Sequence, residues 1–385
     1  MLPKSFRSWQ SQALARENSV LGVLGLFPFL DDSGGIQRAG RVAWEGIVNR
    51  ESPTANGESA KPYLFCYGAH GSNERLSTKN GHDVCPSKGE VVYTASRVQA
   101  IIAAAQCRRP VSVMLVWHVA LLKLLPFFHL RTAKTVLFLH GIESWKGQDW
   151  LTRILLRRVD LFLSNSDYTW DRFLSHNPEL KHARHKTVHL GIASPIRGAP
   201  PEVGSTPVAL MISRLARNED YKGHKEIIAA WPLVLEYIPS AELWIVGDGD
   251  LLNELRDIVK SVGLANRIRF LGHVSEDEKN TLLARCRCLV LPSRSEGFGL
   301  VYLEAMRIGR PCLVSTLDAG REVVNPPEAG LAVDPDSSQL LAEAVCRLLT
   351  SGPEWNLWSM QARRRYEDYF TGRHFQERHL QALEI

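Results

Sequence analysis

No two cysteines of this 385-residue chain form a CxxC pair; the seven stand at positions 66, 85, 107, 286, 288, 312 and 346, several inside apolar runs. Such spacing speaks against a paired-cysteine motif and fits reduced core thiols in a cytoplasmic protein. The chain also lacks a long unbroken apolar run. The strongest, VSVMLVWHVALLKLLPFFHL at 111–130, is interrupted by His118, Lys123, Pro126 and His129, which argues against a membrane span. The opening stretch MLPKSFRSWQSQALARENS is mixed and polar, without the basic, apolar and small-residue order of a signal peptide, so no cleaved leader is expected. No usual nucleic-acid motif accompanies the basic residues, and nucleic acid is not an expected partner.

What is present is globular composition: 45% hydrophobic residues over 385 positions. That exceeds what one compact core usually supports, so two domains are expected. Charge divides unevenly between the halves. Up to residue 198 there are 25 Lys and Arg against 15 Asp and Glu, and beyond it 21 against 26, giving +10 and −5. A basic first half suits an anionic lipid surface or a phosphorylated substrate.

Short apolar runs alternate with helical stretches throughout. VLGVLGLFPFL, PYLFCYGA, VSVMLVWHV, TVLFLHG and DLFLSNS read as buried strands of a first region; VALMISRL, AELWIVGDG, IRFLGHV, CLVLPS and PCLVSTL read so in a second. Continuous apolar strands between helices imply parallel sheets covered on both faces, hence an α/β chain of two doubly wound domains. GIASPIRGAPPEVGSTP, residues 191–207, has the Pro, Gly and Ser content of an interdomain linker and is a candidate hinge. The expected domains are 1–195 and 196–355, with a charged helical tail, 356–385, packing across their junction.

Ligands of such sheets bind beyond the carboxyl ends of the strands, and polar residues collect there in the second region. Arg214 and Lys222, the latter followed by Gly223, offer two cations beside flexible backbone and suit a diphosphate. In PSRSEGFGLVYLEAM, residues 292–306, Glu296 and Glu304 flank a turn containing Gly297 and Gly299. Glycine lets the chain pass close to a ligand, and a helix starting near Phe298, with Gly299 and Leu300 at its mouth, directs free N–H groups at an anion. Glu304, about two turns into that helix, can reach a ribose diol, while Glu296 faces the sugar. GDGD at 247–250 follows a strand and fits a glycine turn better than a metal-binding pair, so neither metal nor cofactor is expected.

SRSEGFGLVYLEAM, taken with SRL, YKGH and ELWIVGDG…IRFLGHVSEDEK, resembles the retaining glycosyltransferases of family 4. The texture is similar to bacterial polysaccharide-biosynthesis mannosyltransferases. The resemblance implies the GT-B fold, two facing Rossmann-like domains with a cleft between them. It makes the first domain acceptor-binding and the second nucleotide-sugar-binding. It places the nucleotide sugar on Glu296 and Glu304 and its diphosphate on Arg214 and Lys222. In the first half, DDSGGIQR is similar to the family's glycine-rich loop, with Gly34 and Gly35 approaching phosphates or acceptor. VLFLHGIESW is similar to the strand end that carries its active-site histidine, here His140. Val274, Glu276 and Lys279 fall where some GDP-mannose users of the family place base contacts, and a carboxylate such as Glu276 can accept both N–H groups of a guanine edge.

The implied activity is transfer of a hexose, with GDP-mannose the favoured donor, to a saccharide or polyprenyl-linked saccharide at the inner face of a membrane, with peripheral contact to anionic lipid. UDP-sugar donors stay open, as does a binding protein of the same fold that has lost catalysis. An NAD-type oxidoreductase is the third alternative; Gly247 and Gly249 hint at a dinucleotide turn, but its third glycine is missing.

Overall fold

The computed structural model describes residues 22–30, 34–50, 62–68, 90–108, 111–129 and 133–385. Cys85 and the polar opening stretch lie outside the described residues. The described residues form two compact units, one drawn from 22–164, 173–188 and 376–385, the other from 165–172 and 189–375. This division departs from cuts at 195 and 355, because the second unit takes a short segment from the first half and the last ten residues return to the first unit.

The first unit is a seven-stranded parallel sheet: β1 (Val23–Pro28), β2 (Tyr63–Tyr67), β3 (Glu90–Thr94), β4 (Val113–Val116), β5 (Lys134–Leu139), β6 (Leu161–Ser164) and β7 (His185–Thr187), in the order β3-β2-β1-β4-β5-β6-β7. The central strands β4 and β6 are buried at every position, as their unbroken apolar runs require. The edge strand β7 has no fully buried residue, so hydrophobic pattern alone does not reveal it. Helices α1 (Gly35–Asn49), α2 (Arg97–Gln106), α3 (Trp150–Leu156) and α4 (Asp167–His176) follow strands of this sheet. The apolar run after β4 becomes a 3-10 helix, Val119–Phe127, with Val119, Leu121 and Leu122 in the core. Among the described residues no helix is long and apolar enough to cross a membrane.

The second unit is a six-stranded parallel sheet of β8 (Val208–Ile212), β9 (Glu242–Val246), β10 (Ile268–Gly272), β11 (Cys288–Leu291), β12 (Cys312–Ser315) and β13 (Gly330–Val333), ordered β10-β9-β8-β11-β12-β13. Its helices are α5 (His224–Tyr237), α6 (Leu252–Ser261), α7 (Glu276–Arg285), α8 (Leu300–Arg307), α9 (Gly320–Val324), α10 (Ser338–Leu349) and α11 (Pro353–Tyr369); α12 (Gly372–Leu383) passes from this unit into the first. Strand order reverses between β8 and β11. The loops leaving these neighbours go to opposite faces and open a crevice at their carboxyl ends.

The stretch 191–207 is not a loose linker. Arg307 Nε donates to the Ser194 carbonyl at 2.8 Å, Arg363 donates to Ile196 and Gly198 at 2.8 and 2.6 Å, and Arg310 Nη2 donates to Pro201 at 2.6 Å. Apart from one bridge between Ile192 and Thr371 the segment joins no strand, so its carbonyls need other donors, and guanidinium groups supply several. The segment is thereby tied into the second unit.

At the strand-order reversal, Gly223 holds φ at 88°, and a Cβ there would come within 2.4 Å of the Pro292 carbonyl oxygen. Its lack of a side chain lets the loop after β8 lie against the loop after β11. Gly223→Ala is therefore expected to cost about 1–3 kcal/mol of stability, measured by urea unfolding.

Candidate nucleotide-sugar site

Three connections of the second unit, those after β8, β10 and β11, carry the expected residues. The turn after β8, residues 217–222, ends in Lys222, and the loop after β11 carries Glu296. Lys222 Nζ donates to Glu296 Oε2 at 2.6 Å, with both side chains largely shielded from solvent. Burial opposes the Lys222 ammonium, but the charge and hydrogen bond of Glu296, with Tyr221 and Glu219, outweigh it and raise the lysine above its ordinary range; Nζ also lies 5.3 Å from the Tyr221 ring centroid. The lysine is thus a fixed cation. Burial pushes the Tyr221 hydroxyl up to about 12, which keeps it a neutral donor.

Arg214 is 80% exposed at its side chain and pairs with the buried Glu219. It lies on the same connection as Lys222, between β8 and α5. Glu304 pairs with Lys279 across 3.0 Å, and Lys279 also bonds Glu276 at 2.9 Å. The structure so gathers Lys279, Glu304 and Glu276, although Glu276 is itself solvent-exposed and Val274 half-buried. Glu276 opens α7, whose Ser275 and Glu278 form a capping box.

Helix α8 begins at Leu300 rather than near Phe298, and Glu304 is its fifth residue, little more than one turn in. The cause is Gly299, whose φ of 83° lies outside the helical region, and a Cβ there would strike the Tyr302 ring at 2.3 Å. Phe298 is core: it is 2% exposed and lies near the rings of His189 and Phe370. Any role of Phe298 toward a ligand falls to its main chain.

The Glu296–Gly297 turn is held on several sides. The Gly297 carbonyl accepts from Ser166 Oγ at 2.8 Å and Thr169 Oγ1 at 3.3 Å. The main-chain N–H groups of Asp167 and Tyr168 donate to the two carboxylate oxygens of Glu322, each at 2.8 Å. The Glu296 N–H donates to Asp318 Oδ2 at 3.1 Å, and the Ala319 N–H donates to the Glu296 carbonyl at 3.1 Å. Ser166, Thr169 and Asp318 are absent from the sequence-based candidates. The available signal for Asp318 was its place just beyond β12, the same strand-end position that singled out the others. Ser166 carried the same signal, two residues beyond β6, but nothing local links it or Thr169 to a turn more than a hundred residues away.

In the first unit, His140 ends β5 and is 7% exposed. Its Nε2 is 2.8 Å from the Trp117 carbonyl, and its ring stacks on Phe138 at 4.7 Å. The Glu143 carboxylate accepts the main-chain N–H groups of His140 and Gly141 at 2.8 and 3.0 Å, turning the chain sharply after the strand. Burial first, then the neighbouring His118, lower His140 to about 3, so the imidazole is neutral. With Nε2 donating to a carbonyl, it acts as a hydrogen-bonding group rather than a cation. Gly34 caps α1 with ordinary extended backbone and Gly35 is the helix's first residue; Trp117 Nε1 fixes that end by donating to the Ile36 carbonyl at 2.9 Å.

Residues 206–351 match the family described as "Glycosyl transferases group 1". Among curated proteins, the chain is 35% identical over 133 residues to the O-antigen chain mannosyltransferase C of Escherichia coli, covering 34% of this chain and 36% of that protein. It is 29% identical over 242 residues to the GDP-mannose-dependent alpha-(1-6)-phosphatidylinositol monomannoside mannosyltransferase of Mycobacterium tuberculosis, covering 54% and 59%. These matches span between about a third and three fifths of the relatives' lengths. Among solved structures, Anabaena Alr3699/HepE in complex with UDP is similar with a TM-score of 0.70 at 18% identity, over 94% of this chain and 100% of that one. At that identity the likeness is one of fold. The two Rossmann-like parallel sheets are those of the GT-B class. Within that class, it is residues 206–351 that match the glycosyl transferases group 1 family and carry the motifs read from the sequence.

Because the fold holds His140 and His379 neutral, each lowered to about 3, the unfolded chain takes up protons that the native chain refuses as pH falls below 6.5. Stability should fall with acidification from about 6.5 toward 3. Histidine-selective NMR should show neither ring titrating between pH 5 and 8.

Proposed function

We propose that the chain transfers a hexose from a nucleotide sugar to a saccharide or polyprenyl-linked saccharide acceptor with retention of anomeric configuration, the favoured donor being GDP-mannose. The observation that carries this reading is the Lys222–Glu296 pair, 2.6 Å apart beside the strand-order reversal. An ammonium held largely out of water by a carboxylate is prepared to exchange that carboxylate for a phosphate oxygen. Glu296, released, then accepts hydroxyl hydrogen bonds from the sugar, and Glu304 does the same for the ribose.

As the glycosidic bond breaks, negative charge grows on the departing diphosphate. Lys222, Arg214 and the first amides of α8 meet that charge, so the step calls on no metal. Donors already aimed at charge that appears only in the transition state lower the barrier without reorganising. The acceptor hydroxyl approaches on the face of the leaving phosphate, which takes its proton. His140, neutral and oriented by the Trp117 carbonyl, serves alignment.

The mannose preference is supported by the name of the mycobacterial relative and by Lys279 and Glu276 lying beside Glu304. A UDP-sugar donor is the second reading, favoured by the UDP-bound Anabaena structure. Peripheral contact with an anionic membrane at its inner face belongs to the same proposal. On α3, Trp150 and Ile154, one turn apart, are 72% and 45% exposed beside Arg153 and Arg157, and Lys123 joins the helix cap Asp149 at 2.7 Å.

Lys222→Ala should lower transfer by about 10²–10³ while circular dichroism stays native; near-wild-type turnover refutes the role. In a thermal-shift comparison of GDP, UDP and ADP, GDP should give the largest rise in Tm. A larger rise with UDP replaces the mannose assignment with the second reading.

A further inference from the structure

We propose that Asp318 is a positioning residue of the donor site, holding the main chain of Glu296 so that its carboxylate meets Lys222. The inference rests on the donor reading above and adds to it a residue and a pH response.

Asp318 lies just beyond β12 and is 0% exposed. One carboxyl oxygen accepts the Glu296 N–H at 3.1 Å, and the other accepts the Gly320 N–H at 2.9 Å. The next residue, Ala319, donates its N–H to the Glu296 carbonyl at 3.1 Å. Both main-chain polar groups of Glu296 are therefore bonded to residues 318–319, which leaves its backbone no freedom to rotate. From there the Glu296 side chain reaches Lys222 at 2.6 Å. A buried carboxyl spanning two N–H groups does what a water-exposed one cannot, because no solvent competes for either bond.

The groups that face Asp318 come from every element around it: Glu296 from the loop after β11, Lys222 from the turn after β8, Tyr302 from α8 and Tyr168 from α4, with Arg321 of α9 donating to its main-chain carbonyl at 3.4 Å. Burial, then the negative charge of Glu296, push the Asp318 carboxyl up to about 8, against the pull of the two N–H groups and Lys222. Near neutral pH Asp318 keeps its proton, and Lys222 and Glu296 form a balanced pair. Above that range a second negative charge appears beside the place assigned to the diphosphate. A dianionic ligand is then repelled, so its affinity falls as pH rises through about 8.

Calorimetric titration of GDP and of UDP into the wild-type chain and into Asp318→Asn at pH 7.5 and 9.0 tests this. The wild type should lose roughly five- to tenfold in affinity for whichever nucleotide binds across that interval. Asp318→Asn, which keeps the size but cannot ionise, should hold its affinity constant, while its transfer rate falls because an amide replaces one acceptor oxygen. A purely structural role would lower Tm and leave the pH dependence as in the wild type. An unchanged wild-type affinity, or the same loss in both proteins, overturns the proposal. If the variant does not fold, the wild-type ratio decides alone. Binding of neither nucleotide at either pH overturns the donor reading itself and this inference with it, an outcome distinct from binding without pH dependence.

Discussion

Reversal of strand order in a parallel sheet is the constraint on which the second unit's chemistry depends. β8 is flanked by β9 on one side and β11 on the other, and each right-handed crossover must leave toward its own face. The loops after β8 and β11 consequently start side by side and diverge. Lys222 rides one and Glu296 the other, and their 2.6 Å pairing closes the gap between them. The Arg294 N–H, which donates to the Tyr221 carbonyl at 2.9 Å, continues the same closure in the main chain. The first unit repeats the geometry with β1 and β4, and there the ends of the strands carry the Gly34–Gly35 turn and Trp117, whose carbonyl orients His140.

The charged groups proposed for ligand binding are all paired: Lys222 with Glu296, Lys279 with Glu304, and Arg214 with Glu219, a residue outside that set. Partly buried charge left alone is costly, so a site that must present several cations and carboxylates stores them against one another. On the reading proposed above, each pair mimics half of the complex. A carboxylate stands in for phosphate at the cations, and a cation stands in for the donated hydrogens of a diol at the carboxylates. Ligand binding on this view exchanges partners rather than exposing new charge, and the loops need not reorganise to receive it.

Positions that are tied by chain-distant bonds resisted the sequence-based reading for a common reason. The Pro and Gly content of 191–207 is correct evidence that no regular element forms there, but it says nothing of donors elsewhere. Arg307, Arg310 and Arg363 lie more than a hundred residues downstream, and they convert an apparent hinge into part of the second unit. The start of α8 moved by two residues because Gly299 adopts a left-handed conformation against the Tyr302 ring, a contact set by packing. Asp318 and Ser166 entered the site only once β12 and the start of α4 were placed beside the Glu296 turn.

The alternation of unbroken apolar runs with helices was enough to determine two parallel α/β sheets, since a strand covered on both faces must be apolar at every position. Lys222, Glu296 and His140, beyond strand ends, and Glu304, on the helix that follows, were read as candidates for a related reason: ligands of such sheets bind beyond the carboxyl ends of the strands. Tertiary structure alone decided which of them meet, that His140 is a neutral buried ring, and that a carboxyl from a third loop grips the main chain of Glu296. Those outcomes depend on distances between segments far apart along the chain, and distance of that kind is a property of packing rather than of any local pattern.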